Sequence, residues 1–98
     1  MKNVAPFNGL SPAELERLAK IAEEAAEVIQ AIGKILCHGY ESRHPDGGPT
    51  NRRLLETELG DLRSVTSMAI AADDLSQEFI NIAEMEKDVS VKKYLHHQ

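Results

Sequence analysis

The stretch that sets the architecture spans residues 11–36 and reads SPAELERLAKIAEEAAEVIQAIGKIL. Its first four residues, SPAE, form a capping box with proline at the first helical position. Apolar residues then recur at alternating steps of three and four, which is the period of one helix face. The pattern predicts a helix of roughly 25 residues, about 38 Å long, that ends near Cys37 or His38 because Gly39 suits a helix terminus.

The apolar face of this first helix is wider than one antiparallel neighbour needs. Its main stripe is Leu15, Leu18, Ala22, Ala25, Ile29, Ile32 and Leu36, and a second stripe is Ile21, Val28 and Ile35. A chain of 98 residues also has little material for a core of its own. We therefore expect homo-oligomerisation, as a dimer or a dimer of dimers.

Two further helices complete the predicted fold. Thr50 or Asn51 can cap the second, which should fade between Ala72 and Asp74, and a third should follow. We expect one domain over residues 1–98, an all-α antiparallel bundle of three main helices, with an N-terminal arm (1–10), a long loop (39–50) and a tail (90–98). The loop is long for a helical bundle, and it is either a solvated insertion or a lid that contacts substrate.

Composition excludes several classes of protein. The net charge of −5 gives no basic surface for duplex nucleic acid. Cys37 is the only cysteine, so no intrachain disulfide can form, and a reducing compartment fits best. We see neither a signal peptide nor the roughly 20 apolar residues of a membrane span, and we expect a cytoplasmic protein without membrane contact.

Two carboxylate pairs carry the functional signal. Glu24 and Glu27 lie three residues apart on the first predicted helix, and Glu58 and Asp61 have the same spacing on the second. The second pair interrupts an apolar stripe, where an unpaired carboxylate would be costly. If the helices pack side by side, the oxygens of the four carboxylates converge on a volume suited to a hard divalent cation.

The pattern Glu-Glu-x-x-Glu at residues 23–27, followed by Glu-x-x-Asp at residues 58–61, resembles the MazG-like all-α nucleoside triphosphate pyrophosphohydrolases. Relatives in that group include dimeric dUTPases, dCTPases and phosphoribosyl-ATP pyrophosphohydrolases. The resemblance covers residues 18–70 and includes the order of the motifs, the helix after them and the basic residues near the C-terminus.

The resemblance implies an enzyme that converts an NTP or dNTP to the monophosphate and pyrophosphate. It implies Mg²⁺, with Mn²⁺ as a substitute, held by Glu24, Glu27, Glu58 and Asp61, and Glu23 as the residue that orients or deprotonates the attacking water. Candidate substrate-binding residues are basic or amide side chains near the motifs or late in the chain: Lys34, Asn51, Arg53 and Lys92.

Two other functions remain open at this point. The acidic residues could form a solvated helix face on a non-enzymatic interaction module. A carboxylate-bridged metal oxidase is less favoured, because such di-iron bundles use Glu-x-x-His pairs and no histidine follows a motif glutamate by three residues.

Overall fold

A computed structural model describes residues 8–98 and shows an all-α chain. Helix α1 spans Pro12–His38, α2 spans Asn51–Ala71 and α3 spans Gln77–Ser90, and a short 3-10 turn, Val91–Tyr94, follows α3. The prediction of three helices is confirmed. Most of the expected N-terminal arm, residues 1–10, lies outside the part that the structure describes.

The predicted capping box opens α1. The Ser11 hydroxyl accepts a hydrogen bond from the Glu14 backbone N–H (3.1 Å), and the Ser11 backbone N–H donates to the Glu14 carboxylate (2.9 Å). The helix continues for 27 residues to His38. Gly39 then adopts a φ of 88°, which side-chain-bearing residues rarely tolerate, so the predicted terminus is confirmed.

Helices α1 and α2 pack as an antiparallel pair. Each helix contributes one fully buried apolar residue: Ala31 on α1 is 5% exposed and Ala69 on α2 is 1% exposed. An ion pair between Arg17 and Asp74 closes one end of the pair, with Nη2 and Oδ1 3.0 Å apart. The hydrogen bond with Arg17 holds the pKa of the Asp74 carboxyl below its usual value, so Asp74 stays ionised to a lower pH than an ordinary aspartate.

The face of α1 that packs on α2 is the second of the two apolar stripes in its sequence. The half-buried face of α1 carries Ile21, Glu24, Val28 and Ile35, whereas Leu36 on the main stripe is 82% exposed. Both apolar stripes therefore exist, and the pair uses the narrower one. The wider stripe has no partner within residues 8–98: Leu15, Leu18, Ile29, Ile32 and Leu36 are all exposed.

Helix α3 does not close a three-helix bundle with the pair. Its main contacts are with the 3-10 turn that follows it, and a cleft of about 570 Å³ separates it from α2. Phe79, Met85 and Val89 form an apolar stripe on α3 and are each 69–73% exposed. The single chain therefore forms a helical pair with a third helix beside it, and closure of the bundle stays a prediction.

The loop 39–50 is folded back on the ends of α1 and α2. The Asn51 backbone N–H donates to the Ser42 carbonyl, and that of Arg52 donates to the Tyr40 carbonyl, both at 2.9 Å. The Asn51 side-chain amide donates to the Gly39 carbonyl at 3.1 Å. Thr50 provides the N-cap of α2, so the asparagine, which is 7% exposed, fastens the loop rather than capping the helix.

Removing this amide should loosen the loop. We expect Asn51→Ala to lower the free energy of unfolding by about 0.5–1.5 kcal/mol, since it removes the part-buried hydrogen bond to the Gly39 carbonyl. Urea denaturation of the variant beside Gln30→Ala, which removes an exposed amide from α1, measures the difference. Equal losses in both variants would show that the Asn51 amide does not stabilise the fold.

Candidate metal centre

Three carboxylates meet where α1 and α2 face each other. Glu24 and Glu27 lie one turn apart on α1, and Glu58 faces them from α2; each is half-buried. One oxygen from each lies within 4.8 Å of the others. Ligand oxygens on opposite sides of a Mg²⁺ ion are about 4.2 Å apart, so the spacing suits such an ion after a small adjustment.

Two of these carboxylates have an oxygen that is removed from water and lacks a protein donor. Glu24 Oε2 and Glu58 Oε2 are buried and accept no hydrogen bond from any described residue. Buried polar atoms in native proteins are nearly always satisfied by protein, water or an ion. Two such oxygens within one cluster of three carboxylates are therefore consistent with a bound cation.

The electrostatics of the cluster lead to the same interpretation. Burial, followed by the charges of Glu27 and Asp61, raises the pKa of Glu24. Hydrogen bonding to Glu27, followed by burial and the charges of Glu27 and Asp61, raises the pKa of Glu58. Protons or a cation must therefore offset the repulsion, and at neutral pH a divalent cation does so without protonating the site.

The remaining two acidic residues lie at the edge of this cluster. Asp61 is exposed, one turn beyond Glu58, and its charge contributes to the raised pKa of both Glu24 and Glu58. Glu23 is exposed and pairs with Lys20 at 3.2 Å. Three of the four predicted ligands are thus brought together directly, and Asp61 and Glu23 lie within electrostatic range of Glu24.

The candidate substrate-binding residues are distributed over three places. Lys34 and Asn51 line a shared cavity beside the loop 39–50. Arg53 is exposed on the first turn of α2 and pairs with Glu56 at 3.4 Å. Lys92 lies in the 3-10 turn, beyond α3 and outside the helical pair.

The sequence left open a loop that contacts substrate, but it did not indicate which loop residues would line this cavity. Arg43 and His44 line it together with Lys34. Their positions depend on how the loop folds back, which apolar periodicity does not encode. The only available signal was the density of glycine and proline around them, which marks a turn without giving its direction.

No protein-family model, curated protein or solved structure matches this chain. Among residues 8–98, no helix is both long enough and apolar enough to cross a membrane.

The acidic cluster should make stability depend on pH when divalent cations are removed. A raised pKa in the folded state means that the folded protein binds more protons than the unfolded chain between the ordinary glutamate pKa, about 4.3, and the raised value. Stability is then lost as pH rises through this window. In EDTA we expect the wild-type melting temperature to be higher at about pH 5.5 than at about pH 7.5.

The variant Glu58→Gln isolates this effect from the histidines, which titrate in the same range. Thermal melts in EDTA should show a flatter pH dependence for the variant than for wild type. Adding Mg²⁺ should raise the wild-type melting temperature most at the higher pH, where protons compete least. Identical pH profiles for the two proteins would contradict the cluster's proposed electrostatics.

Proposed function

We propose that this protein is a Mg²⁺-dependent nucleotide pyrophosphohydrolase that cleaves an NTP or dNTP to the monophosphate and pyrophosphate. The observation that carries the proposal is the convergence of Glu24, Glu27 and Glu58 between two helices, with two buried oxygens left without protein donors. The order of the two acidic motifs, which resembles the MazG-like enzymes, supports the same reaction. We place this activity in the cytoplasm, in the control or sanitation of the nucleotide pool.

The residues proposed to hold Mg²⁺, or Mn²⁺ in its place, are Glu24, Glu27, Glu58 and Asp61. When bound, the cation supplies charge neutralisation and Lewis acidity towards phosphate oxygens. Hard oxygen ligands are the donors that such ions prefer, and Glu24, Glu27 and Glu58 supply three carboxylates for this role.

Glu23 is proposed as the general base. Glu23 directly precedes Glu24 on α1 and lies at the edge of the cluster. Its charge is one of the causes that raise the pKa of Glu24. The Glu23 side chain is exposed, and among residues 8–98 it pairs with Lys20 alone, so it can accept a proton from a water that attacks the α-phosphorus. The bond between the α-phosphorus and the oxygen that bridges it to the β-phosphorus then breaks, and pyrophosphate leaves with the negative charge on that oxygen.

Isotope labelling tests which phosphorus is attacked. In water enriched in ¹⁸O, we expect the label in the nucleoside monophosphate and none in pyrophosphate, read by mass spectrometry of both products. Label in the pyrophosphate would instead indicate attack at the β-phosphorus. Release of orthophosphate with a nucleoside diphosphate would contradict the proposed reaction altogether.

We also propose that the bundle is completed by a second copy of the chain. Leu36 and Ile29 on α1 are 82% and 70% exposed, and Phe79 and Val89 on α3 are 73% and 70% exposed. The exposed stripe on α1 and the stripe on α3 supply apolar surface of the kind that obligate dimers bury.

The main alternative is a non-enzymatic helical interaction module. The same exposed apolar stripes favour it, because they would equally suit a different helical partner. The orphaned oxygens of Glu24 and Glu58 distinguish the two functions, since an interaction module gains nothing from keeping them. A module should therefore tolerate neutral substitutions in the cluster without loss of its function.

A further inference from the structure

The cavity beside the loop 39–50 is cationic in a protein that is acidic overall. It encloses about 380 Å³ between the last turns of α1, the loop and the first turn of α2. That volume falls within the range of small-molecule sites. Its lining includes Lys34, His38, Arg43 and His44 and contains no aspartate or glutamate, whereas the whole chain carries a net charge of −5.

The walls of this cavity are held by specific hydrogen bonds. The Arg43 guanidinium donates to the Gly48 carbonyl at 2.8 Å, which fixes the turn over the cavity. His44 Nδ1 accepts from the Asp46 backbone N–H at 3.1 Å. The Asp46 carboxylate lies 3.6 Å from the same nitrogen and is 93% exposed, so solvent screens it at the rim. Buried Asn51 anchors the base of the loop.

The cavity lies in line with the acidic cluster. Lys34 follows Glu27 by seven residues on α1, and Asn51 precedes Glu58 by seven residues on α2. Seven residues are close to two turns, so each pair shares a helix face at a separation of about 10 Å. The groove between the two helices thus has a carboxylate cluster at one level and a cationic cavity about two turns away.

We infer that this cavity is a phosphate-binding site for the nucleotide. Lysine and arginine are the usual partners of phosphate oxygens, because their hydrogen bonds to an anion are charge-assisted. The identification of the phosphate as that of a nucleotide rests on the proposed function. The affinity for a phosphate anion follows from the lining of the cavity alone.

Chelation of divalent cations separates the cavity from the acidic cluster. With EDTA present, the carboxylates repel anions, so any specific phosphate binding reports the cavity. Pyrophosphate at millimolar concentration should shift the imidazole NMR signals of His38 and His44, and leave those of His96 and His97 unchanged. Sodium chloride at matched ionic strength should move none of them.

Among the described residues, Lys34 takes part in none of the hydrogen bonds that shape the loop. Lys34→Gln should therefore keep the loop and weaken pyrophosphate binding about tenfold, the loss expected for one charge-assisted hydrogen bond. Lys87→Gln removes the same charge from α3 and should change the affinity less than twofold. Arg43→Gln provides a second variant from the loop side. Tighter binding of a deoxynucleoside triphosphate than of tripolyphosphate would identify a nucleotide as the source.

The inference is overturned if pyrophosphate shifts none of the four histidines, shifts all four equally, or binds Lys34→Gln and Lys87→Gln alike. It is also overturned if tripolyphosphate binds as tightly as the nucleotide, since the site would then serve a free phosphate. Its failure is distinguishable from that of the proposed function. Pyrophosphate binding in EDTA without Mg²⁺-dependent hydrolysis would support the anion site and contradict the proposed function. Mg²⁺-dependent hydrolysis without binding in EDTA would support the proposed function and contradict the anion site.

Discussion

Glu58→Gln should lower Mg²⁺-dependent pyrophosphate release by at least about 100-fold, the scale on which loss of one group that stabilises transition-state charge reduces turnover. Glu58 faces Glu24 and Glu27 across the helix pair, and an amide offers a cation no negative charge. Asp61→Asn should also reduce turnover. Steady-state kinetics over a range of Mg²⁺ concentrations measures both, and a higher Mg²⁺ requirement is expected where activity remains.

The same substitution should leave the fold intact. Glutamine has nearly the same shape as glutamate, and the change removes a repulsive charge that burial and neighbouring carboxylates already disfavour. The variant should therefore melt no lower than wild type in EDTA. Glu16→Gln, an isosteric change at an exposed position of α1, is the matched control and should retain full turnover. Wild-type turnover in Glu58→Gln would contradict the proposal that this carboxylate holds a metal ion.

Met85→Glu should dissociate the protein. Met85 is 69% exposed in the single chain, and glutamate is a good helix former, so an isolated chain would lose almost nothing. If the α3 stripe packs against a second copy, the substitution buries an unpaired charge, which is among the strongest destabilising changes. Light scattering after size exclusion should show a shift from dimer or tetramer towards unfolded or monomeric chains.

Lys87→Glu provides the control for this experiment. It lies two residues from Met85, on a different face of the same helix, and makes a larger change in charge. It should leave the assembly intact. For the wild-type protein, each tenfold dilution should lower the melting temperature by about 3–5 °C, as mass action requires of a dimer that unfolds as it dissociates. A folded, concentration-independent monomer would contradict the expected assembly.

The boundaries of the helices could be predicted because they depend on local chemistry. The capping box at residues 11–14 and the φ of Gly39 define α1 without reference to the rest of the chain. Thr50 was one of two candidate caps for α2, and the structure selects it because the amide of Asn51 is used by the loop. That choice depends on a contact twelve residues away, which no local pattern contains.

Which stripe of α1 packs on α2 could not be predicted from the sequence. Two apolar stripes with the same helical period are equivalent by pattern. The structure places the stripe with Ile21, Val28 and Ala31 against α2. Glu24 belongs to that stripe, which accounts for its buried oxygen.

The acidic pairs were the most predictable part of the site. Their spacing of three residues places each pair on one face, and an antiparallel pair of helices brings the faces together. Sequence could not say which carboxylates would meet, because that depends on the relative rotation of the helices. The packing stripe of α2 runs through Glu58 and Leu62, and this rotation leaves Asp61 at the exposed edge.

The most direct test of the central claim is pyrophosphate release from a panel of canonical and modified NTPs and dNTPs, with Mg²⁺ and with EDTA. Glu58→Gln and Glu16→Gln should be assayed in parallel. The account predicts release from at least one nucleotide that requires Mg²⁺, persists in Glu16→Gln and is lost in Glu58→Gln. Release that continues in EDTA, or no release from any nucleotide in the panel, would contradict it and favour the helical interaction module.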